Sequence, residues 1–230
     1  MAACMAELRN FIEVSQMNLN YNPKLSHVLW MCGSPCAGKS TWADVLAERY
    51  GLAVYHVDAE FPRHTQHITQ EKHPTLYFEM HTSWDQIWMQ PQDVLIEQAI
   101  DCYTEHFSLI LEDLLATDPT VPLLAEGTAL LPGLVAPLVA RPQRALCVVP
   151  TEQFQRELYA QRDFIHHILK DCRDPDQAFK NWMDRDVAFA RWAAGEARKN
   201  GMRVIVNDGS RTVEDNVTWV AEYFKLMRDA

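Results

Sequence analysis

The sequence has no long apolar run. Its longest stretch, Ala129 to Ala140, is short and broken by Pro132 and Pro137, whereas a membrane-spanning helix needs about 20 apolar residues. A surplus of basic charge is also missing: 21 Lys and Arg stand against 31 Asp and Glu, for a net charge of −10. Duplex nucleic acid and anionic membranes both demand a basic footprint, so neither is expected as the main partner. A local basic pocket for a phosphate stays open. Paired cysteines are absent as well. Cys4, Cys32, Cys36, Cys102, Cys147 and Cys172 are scattered singly with no C-x-x-C spacing, which argues against a structural zinc site. Cys32, Cys102 and Cys147 sit in apolar patterns, where cysteine acts as a small hydrophobe. The opening residues M-A-A-C-M-A-E-L-R show no charged-then-apolar signal pattern. Reduced thiols and a cytoplasmic location are the expectation. There is no internal repeat, low-complexity tract or linker. What is there is globular: 230 residues, 48% hydrophobic and 23% charged, enough for one substantial core with an inserted subdomain.

Against that background one segment stands out. Gly33, Ser34, Pro35, Cys36, Ala37, Gly38, Lys39 and Ser40 spell a complete G-x-x-x-x-G-K-[ST] loop, followed by Thr41. Before it, Val28 to Cys32 is an apolar run suited to a buried parallel strand. After it, Trp42, Val45 and Leu46 form one helical stripe, with Gly51 as a stop. Strand, loop and helix start make a nest of backbone N–H groups toward which a helix dipole favours anions. In that setting Lys39 reaches the β- and γ-phosphates of a nucleoside triphosphate and Ser40 ligates Mg²⁺. The bland reading is a glycine turn with a chance lysine, and the flanking pattern weighs against it. Cys36 is either oxidation-sensitive or merely occupies a tolerant variable position.

Apolar periodicity predicts the rest of the framework. Ala53 to Val57 reads as a second strand ending at Asp58, with a polar, histidine-rich stretch through His81 behind it. Pro91 to Ala116 reads as the clearest helix, with Ile96, Ala99, Ile100, Tyr103, Phe107 and Ile110 at helical spacing and Pro91 in its first turn. Val121 to Ala125 is expected as a third strand, stopped by Glu126-Gly127, and Ala145 to Val149 as a fourth. Thr151 is expected to cap one helix reaching about Leu169, a break follows at Asp171 to Pro175, and another helix carries Phe179, Trp182, Met183 and Phe189. Met202 to Val206 is the fifth strand, and Thr212-Val-Glu-Asp215 reads as a capping box opening a terminal helix. Met5, Leu8, Phe11 and Ile12 suggest a short amphipathic helix before the first strand. Alternating strands and helices imply a parallel sheet covered on both faces, with the ligand at the carboxyl ends of the strands.

Phosphate loops serve switches, motors and phosphotransferases, so other residues must choose. No N-K-x-D guanine motif is present. Glu126 either holds Mg²⁺ or a substrate, or simply bonds to nearby backbone. Asp58 follows the strand after the phosphate-loop helix and so faces the same cleft. A carboxylate there suits orienting an acceptor hydroxyl and taking its proton, the alternative being a cap on the turn Asp58-Ala-Glu60. The block G-S-P-C-A-G-K-S-T-W-A-D-V-L-A-E-R-Y-G-L-A-V-Y-H-V-D resembles the opening of small P-loop kinases of the adenylate kinase, shikimate kinase and gluconate kinase type, and of chloramphenicol phosphotransferase. The resemblance implies a three-layer αβα P-loop NTPase fold with a five-stranded parallel sheet. It also implies one kinase domain over 1–230, with an N-terminal extension (1–26), a helical acceptor-binding insert (59–118) and a lid region (151–200). It assigns ATP and Mg²⁺ as cofactors and Asp58 to the acceptor hydroxyl, and the C-terminal V-I-V-N-D-G-S-R-T-V-E-D-N-V, similar to the family's last strand, adenine-side loop and final helix, places Asp208, Gly209 and Ser210 beside the base. Arg156 and Arg162 become candidate lid arginines, and Arg185 and Arg191 weaker ones. The long segment with F-I-H-H and W-M-D-R-D departs from the family's short arginine-rich lids.

The insert holds one arginine, Arg63, which disfavours a phosphorylated acceptor. Phe61, His64, His67, Tyr77, Phe78, His81, Trp84 and Trp88 suit a sugar or ring-bearing metabolite, or else Trp84 and Trp88 are helix packing. His64, His67 and His73 match no metal-ligand spacing. The expectation is an ATP-dependent kinase acting on a small-molecule hydroxyl. The alternatives are a nucleotide or UDP-sugar kinase of zeta-toxin type, or a regulatory P-loop ATPase.

Overall fold

The structure, a computed structural model, describes residues 21–226. The helix expected around Met5 to Ile12 and the residue Cys4 lie outside them. In chain order the elements are β1 (Val28–Gly33), α1 (Lys39–Tyr50), β2 (Ala53–His56), α2 (Val57–His64), α3 (Pro74–Met80), α4 (Trp84–Trp88), α5 (Gln92–Ala116), β3 (Leu123–Glu126), α6 (Pro132–Val135), β4 (Ala145–Pro150), α7 (Glu152–Tyr159), α8 (Asp163–Leu169), α9 (Pro175–Lys199), β5 (Arg203–Asn207) and α10 (Val213–Phe224). The five strands form one parallel sheet in the order β2-β3-β1-β4-β5. No helix among the described residues is long and apolar enough to cross a membrane.

Every residue of β1 and β4 is buried, which is why both read as continuous apolar runs. Successive side chains feed opposite layers. Val28, Trp30 and Cys32 pack with Phe107, Ile110 and Leu114 of α5 and with Phe189 and Ala193 of α9. Leu29 and Met31 pack with Trp42 and Leu46 of α1 and with Val217, Val220 and Phe224 of α10. The result is a three-layer α/β architecture. Alanines at 190, 193, 194 and 197 let α9 approach the sheet closely, bringing the Ala193 carbonyl to 3.9 Å from Cys147 Sγ.

The ends of the elements follow local chemistry. Gly51 stops α1 in the left-handed region at φ 64°, and the Thr212–Asp215 capping box opens α10. Asp174 accepts from Gln177 N at the start of α9. Several boundaries differ from expectation. Strand β2 ends at His56, so Asp58 lies in the first turn of α2, where Asp58 and Glu60 complement the helix dipole. The missing Cβ of Gly127 permits that early turn, since a Cβ there would stand 2.4 Å from Val57 Cβ. The helix expected from Thr151 to Leu169 is two helices. Arg162 takes extended backbone (φ −97°, ψ 110°) before Asp163 opens the second. Pro91 precedes α5 as its cap residue instead of entering the first turn, and β3 and β5 begin and end a residue or two later than expected.

A polar network locks α2 to α5. Asp113 accepts from Tyr55 Oη (2.6 Å), from Arg63 and from His64 Nε2 (2.7 Å), while His64 Nδ1 and His106 Nε2 share a hydrogen bond of 2.8 Å. Burial pushes the Asp113 carboxyl up, but the bonds from Arg63, Tyr55 and His64 outweigh it and hold it at about 2. Burial, then the neighbouring His64 and His73, hold the His106 imidazole down at about 3. His73 is also lowered, chiefly by burial.

These groups generate the first prediction. An unfolded histidine takes up its proton near 6.5, whereas folded His106 does so only near 3, so its contribution is whole above about 6.5 and is lost as pH falls through that window. Urea denaturation between pH 7 and 5 is expected to show stability falling by up to about 1.4 kcal/mol per pH unit per such histidine. His106→Gln should make the slope shallower, and an unchanged slope would remove His106 from this role. Asp113 adds its own loss only below about pH 4. A second prediction concerns Gly33, whose φ is 136° and whose Cβ position lies 1.9 Å from the Val148 carbonyl oxygen. Gly33→Ala is expected to cost about 3 kcal/mol or more, read as a drop in Tm.

Candidate functional site

The phosphate loop leaves β1 at the centre of the sheet. Ser34 N donates to Val148 O at 3.1 Å, and Asn207 Nδ2 holds the Ala37 carbonyl at 3.0 Å. Positive φ at Cys36 (60°) and Gly38 (91°) curls the intervening backbone. Helix α1 then starts from Gly38 without any side-chain cap, so its first-turn amides face outward as donors. Lys39 is only 6% exposed and its Nζ donates to Ser34 O at 2.8 Å. Ser40 and Thr41 are exposed on the same turn. Uncapped amides, a buried ammonium and an exposed hydroxyl are a donor set that fits a phosphate chain with a hard cation beside it. Cys36 is buried and burial pushes its thiol up to about 11, so it holds no reactive thiolate.

Two acids stand beside the loop, Asp58 in the first turn of α2 and Glu126 at the end of β3. The Asp58 carboxylate is exposed and makes no hydrogen bond within the described residues, and α2 has no side-chain cap. Protein nevertheless surrounds it closely enough that burial raises its pKa. Lys39, Arg162 and His56 favour the ionised form, and Glu126 opposes it. These partners place Asp58 in the electrostatic field of the phosphate loop. Glu126 is buried, and its Oε1 bonds to His56 Nδ1 at 2.7 Å, not to nearby backbone. His56 Nε2 in turn meets Asp44 Oδ1 at 3.0 Å. Burial alone would lower the imidazole, but the two carboxylates raise it above its ordinary value. His56 and Glu126 are paired residues of β2 and β3, a register that a single sequence does not display.

The four arginines expected in a lid separate. Arg156 is held by Glu152 (2.9 Å) and Asp184 (2.6 Å), and Arg191 also pairs with Glu152 (2.8 Å). Arg185 is half-buried over the Trp88 ring at 4.7 Å and pairs with Asp186 at 2.6 Å, while Tyr159 Oη donates to Asp186 at 2.5 Å. Arg162 makes no ion pair among the described residues. Its guanidinium lies over the rings of Tyr159 (5.4 Å) and Phe164 (5.8 Å), and its charge acts on Asp58. Of the four, Arg162 is therefore the one the fold brings to Asp58 unpaired.

On the insert side, Tyr103 is half-buried and its phenol is raised by burial amid Arg185, Asp186, Asp58 and Glu79. The Glu79 carboxyl is likewise raised by burial, with Arg185 opposing. Trp88 is packed core, stacked on Trp182 with centroids 4.4 Å apart, whereas Trp84 is 43% exposed. His64, His67 and His73 line a cavity of about 700 Å³ beside α5. No group of three His, Cys, Asp or Glu among the described residues is arranged to hold a metal ion. On the opposite flank, Gly209 N donates to Asn207 Oδ1 at 3.1 Å and Asp208 Oδ1 accepts from Ser210 N at 3.0 Å. Gly209, at φ 78°, lies under Phe154, whose ring a Cβ would meet at 2.6 Å. Asn207 thus ties Asp208 and Gly209 to the phosphate loop. Asn207, His56, Asp44, Tyr103, Glu79 and Gln155, whose Nε2 donates to Ser34 Oγ at 3.1 Å, are the residues of the candidate site that sequence reasoning missed.

No family model matches this chain, and no curated protein matches it. Among solved structures, the crystal structure of NadR protein in complex with NR is similar over 90% of this chain and 54% of that chain, with 12% identity and a TM-score of 0.36. The chain spans about half the length of that structure. The α/β architecture rests on the chain's own five-stranded parallel sheet.

Proposed function

We propose that this protein is a P-loop kinase that transfers the γ-phosphoryl group of ATP to a hydroxyl of a small molecule. The observation that carries the reading is Asp58, an exposed carboxylate without a hydrogen-bond partner among the described residues, held in the field of Lys39 and Arg162. The backbone amides from Cys36 to Lys39 and the Lys39 ammonium bind the phosphates. Ser40 holds Mg²⁺, whose charge screens the phosphate oxygens when bound. Glu126, whose carboxylate His56 already engages, would contribute negative charge toward that cation. Asp208 and Gly209 border the base.

Asp58 orients the acceptor hydroxyl and takes its proton as the acceptor oxygen bonds to the γ-phosphorus and the bridging oxygen leaves with ADP. Arg162 stabilises the charge on the transferring group. Arg156, held by Glu152 and Asp184, supports the lid instead. The insert's single arginine, Arg63, is committed to Glu60 and Asp113, leaving no free guanidinium there for a second phosphate. That favours an unphosphorylated acceptor over a nucleotide or UDP-sugar.

Lys39→Ala is expected to abolish transfer while the protein stays folded. Asp58→Asn is expected to keep Mg-ATP affinity and lose about 10²- to 10⁴-fold in turnover. Turnover of the wild type should rise with pH through a pKa above the usual carboxylate range, since Asp58 must be ionised to accept a proton. Incubation with Mg-ATP and a metabolite extract, followed by mass spectrometry, should show a species that gains a phosphoryl group, with Lys39→Ala as the blank. Hydrolysis of ATP with no phosphorylated product across varied extracts would favour a regulatory ATPase.

A further inference from the structure

Gln155 on α7 is 1% exposed, and its side chain reaches across to the phosphate loop. Its Nε2 donates to Ser34 Oγ and to the Pro35 carbonyl, each at 3.1 Å. The same serine offers its main-chain carbonyl to Lys39 Nζ at 2.8 Å. Ser34, Gln155 and Lys39 are all buried, so these bonds face little competition from water and act in a medium that strengthens them. The other end of the amide, Gln155 Oε1, is buried without a partner among the described residues. An orphan buried acceptor is destabilising, so an apolar side chain of equal size would serve packing better.

A second contact runs the same way. Cys36 packs in one cluster with Trp88 of α4, Tyr159 of α7, Ile165 of α8 and Trp182 of α9. The opposite side of the loop is fixed to the sheet by Ser34 N on Val148 O and Asn207 Nδ2 on Ala37 O. The loop is therefore gripped between the sheet and the helices of residues 152–199. Ser34 belongs to both grips and also holds Lys39.

We infer that Gln155 is a positioning residue that couples the set of the lid helices α7 to α9 to the placement of the Lys39 ammonium, through Ser34. The inference rests on the nucleotide-binding reading of the loop and adds regulation to it. A shift of α7 withdraws both donors of Gln155 from Ser34 and Pro35 and frees the segment that presents its carbonyl to Lys39.

Gln155→Met keeps the size of the side chain and removes both donors. Its stability in urea is expected to hold or rise, while the Kd for Mg-ATP by isothermal titration rises about tenfold and KM for ATP rises with it. A purely packing role predicts no change in nucleotide affinity. Ser34→Ala removes one acceptor of the same amide and, combined with Gln155→Met, should add little further loss. Wild-type affinity in Gln155→Met, or full additivity of the two changes, overturns the inference. Should Gln155→Met fail to fold, Gln155→Asn and Ser34→Ala carry the same measurement. A wild-type protein that binds no Mg-ATP sinks the nucleotide reading and this inference together, whereas tight wild-type binding with an unaffected Gln155→Met sinks the inference alone.

Discussion

The structure depends on a single close approach, that of the end of β1 to the backbone of β4. Gly33 has no side chain, and the Val148 carbonyl occupies the space where a Cβ would stand. The next amide, Ser34 N, bonds that same carbonyl. This contact fixes where the chain leaves the sheet, hence where α1 begins and which way its free amides point. Central placement does the rest: β1 lies between β3 and β4, so Glu126 arrives beside Met31 on one side and Val148 beside Gly33 on the other.

Charge in the cleft is graded by partners more than by depth. Glu126 and Asp186 are both buried, and each is matched, one by His56 and the other by Arg185 and Tyr159. Asp58 has no such match and its charge answers to several groups at a distance. A carboxylate left in that condition is the least stabilised of the three and the most available to a new partner. The arginines divide by the same rule. Arg156, Arg185 and Arg191 are bound to acids of the fold, and Arg162 rests on aromatic rings.

Much of the fold was legible because it is local. The apolar run of β1, the glycines at 33, 38 and 51, and the Thr212–Asp215 box each state their conformation within a few residues. The misread boundaries were decided by tertiary contacts. Val57 turns into a helix because Gly127, far along the chain, leaves room for it. The segment from Glu152 to Leu169 has a continuous helical pattern, yet it breaks where Arg162 takes extended backbone between two rings. The site divides in the same way. Lys39 and Ser40 are written in the motif, while His56, Gln155 and Asn207 act through partners on other elements, and nothing in their neighbours announces that.

The strand order carries a consequence for how the molecule is assembled. β1 is the first strand in the chain but the middle one in the sheet, so Val28 waits for Leu123 and Trp30 waits for Ala145. The phosphate loop therefore has no walls until the chain has closed two long loops around it, and pairings of that range form slowly. A growing polypeptide that has emerged only through α5 holds the whole phosphate-loop motif with neither flanking strand to brace it. On the proposed reading, nucleotide binding reports completion of the sheet, and a nucleotide can stabilise only a chain whose core is already built.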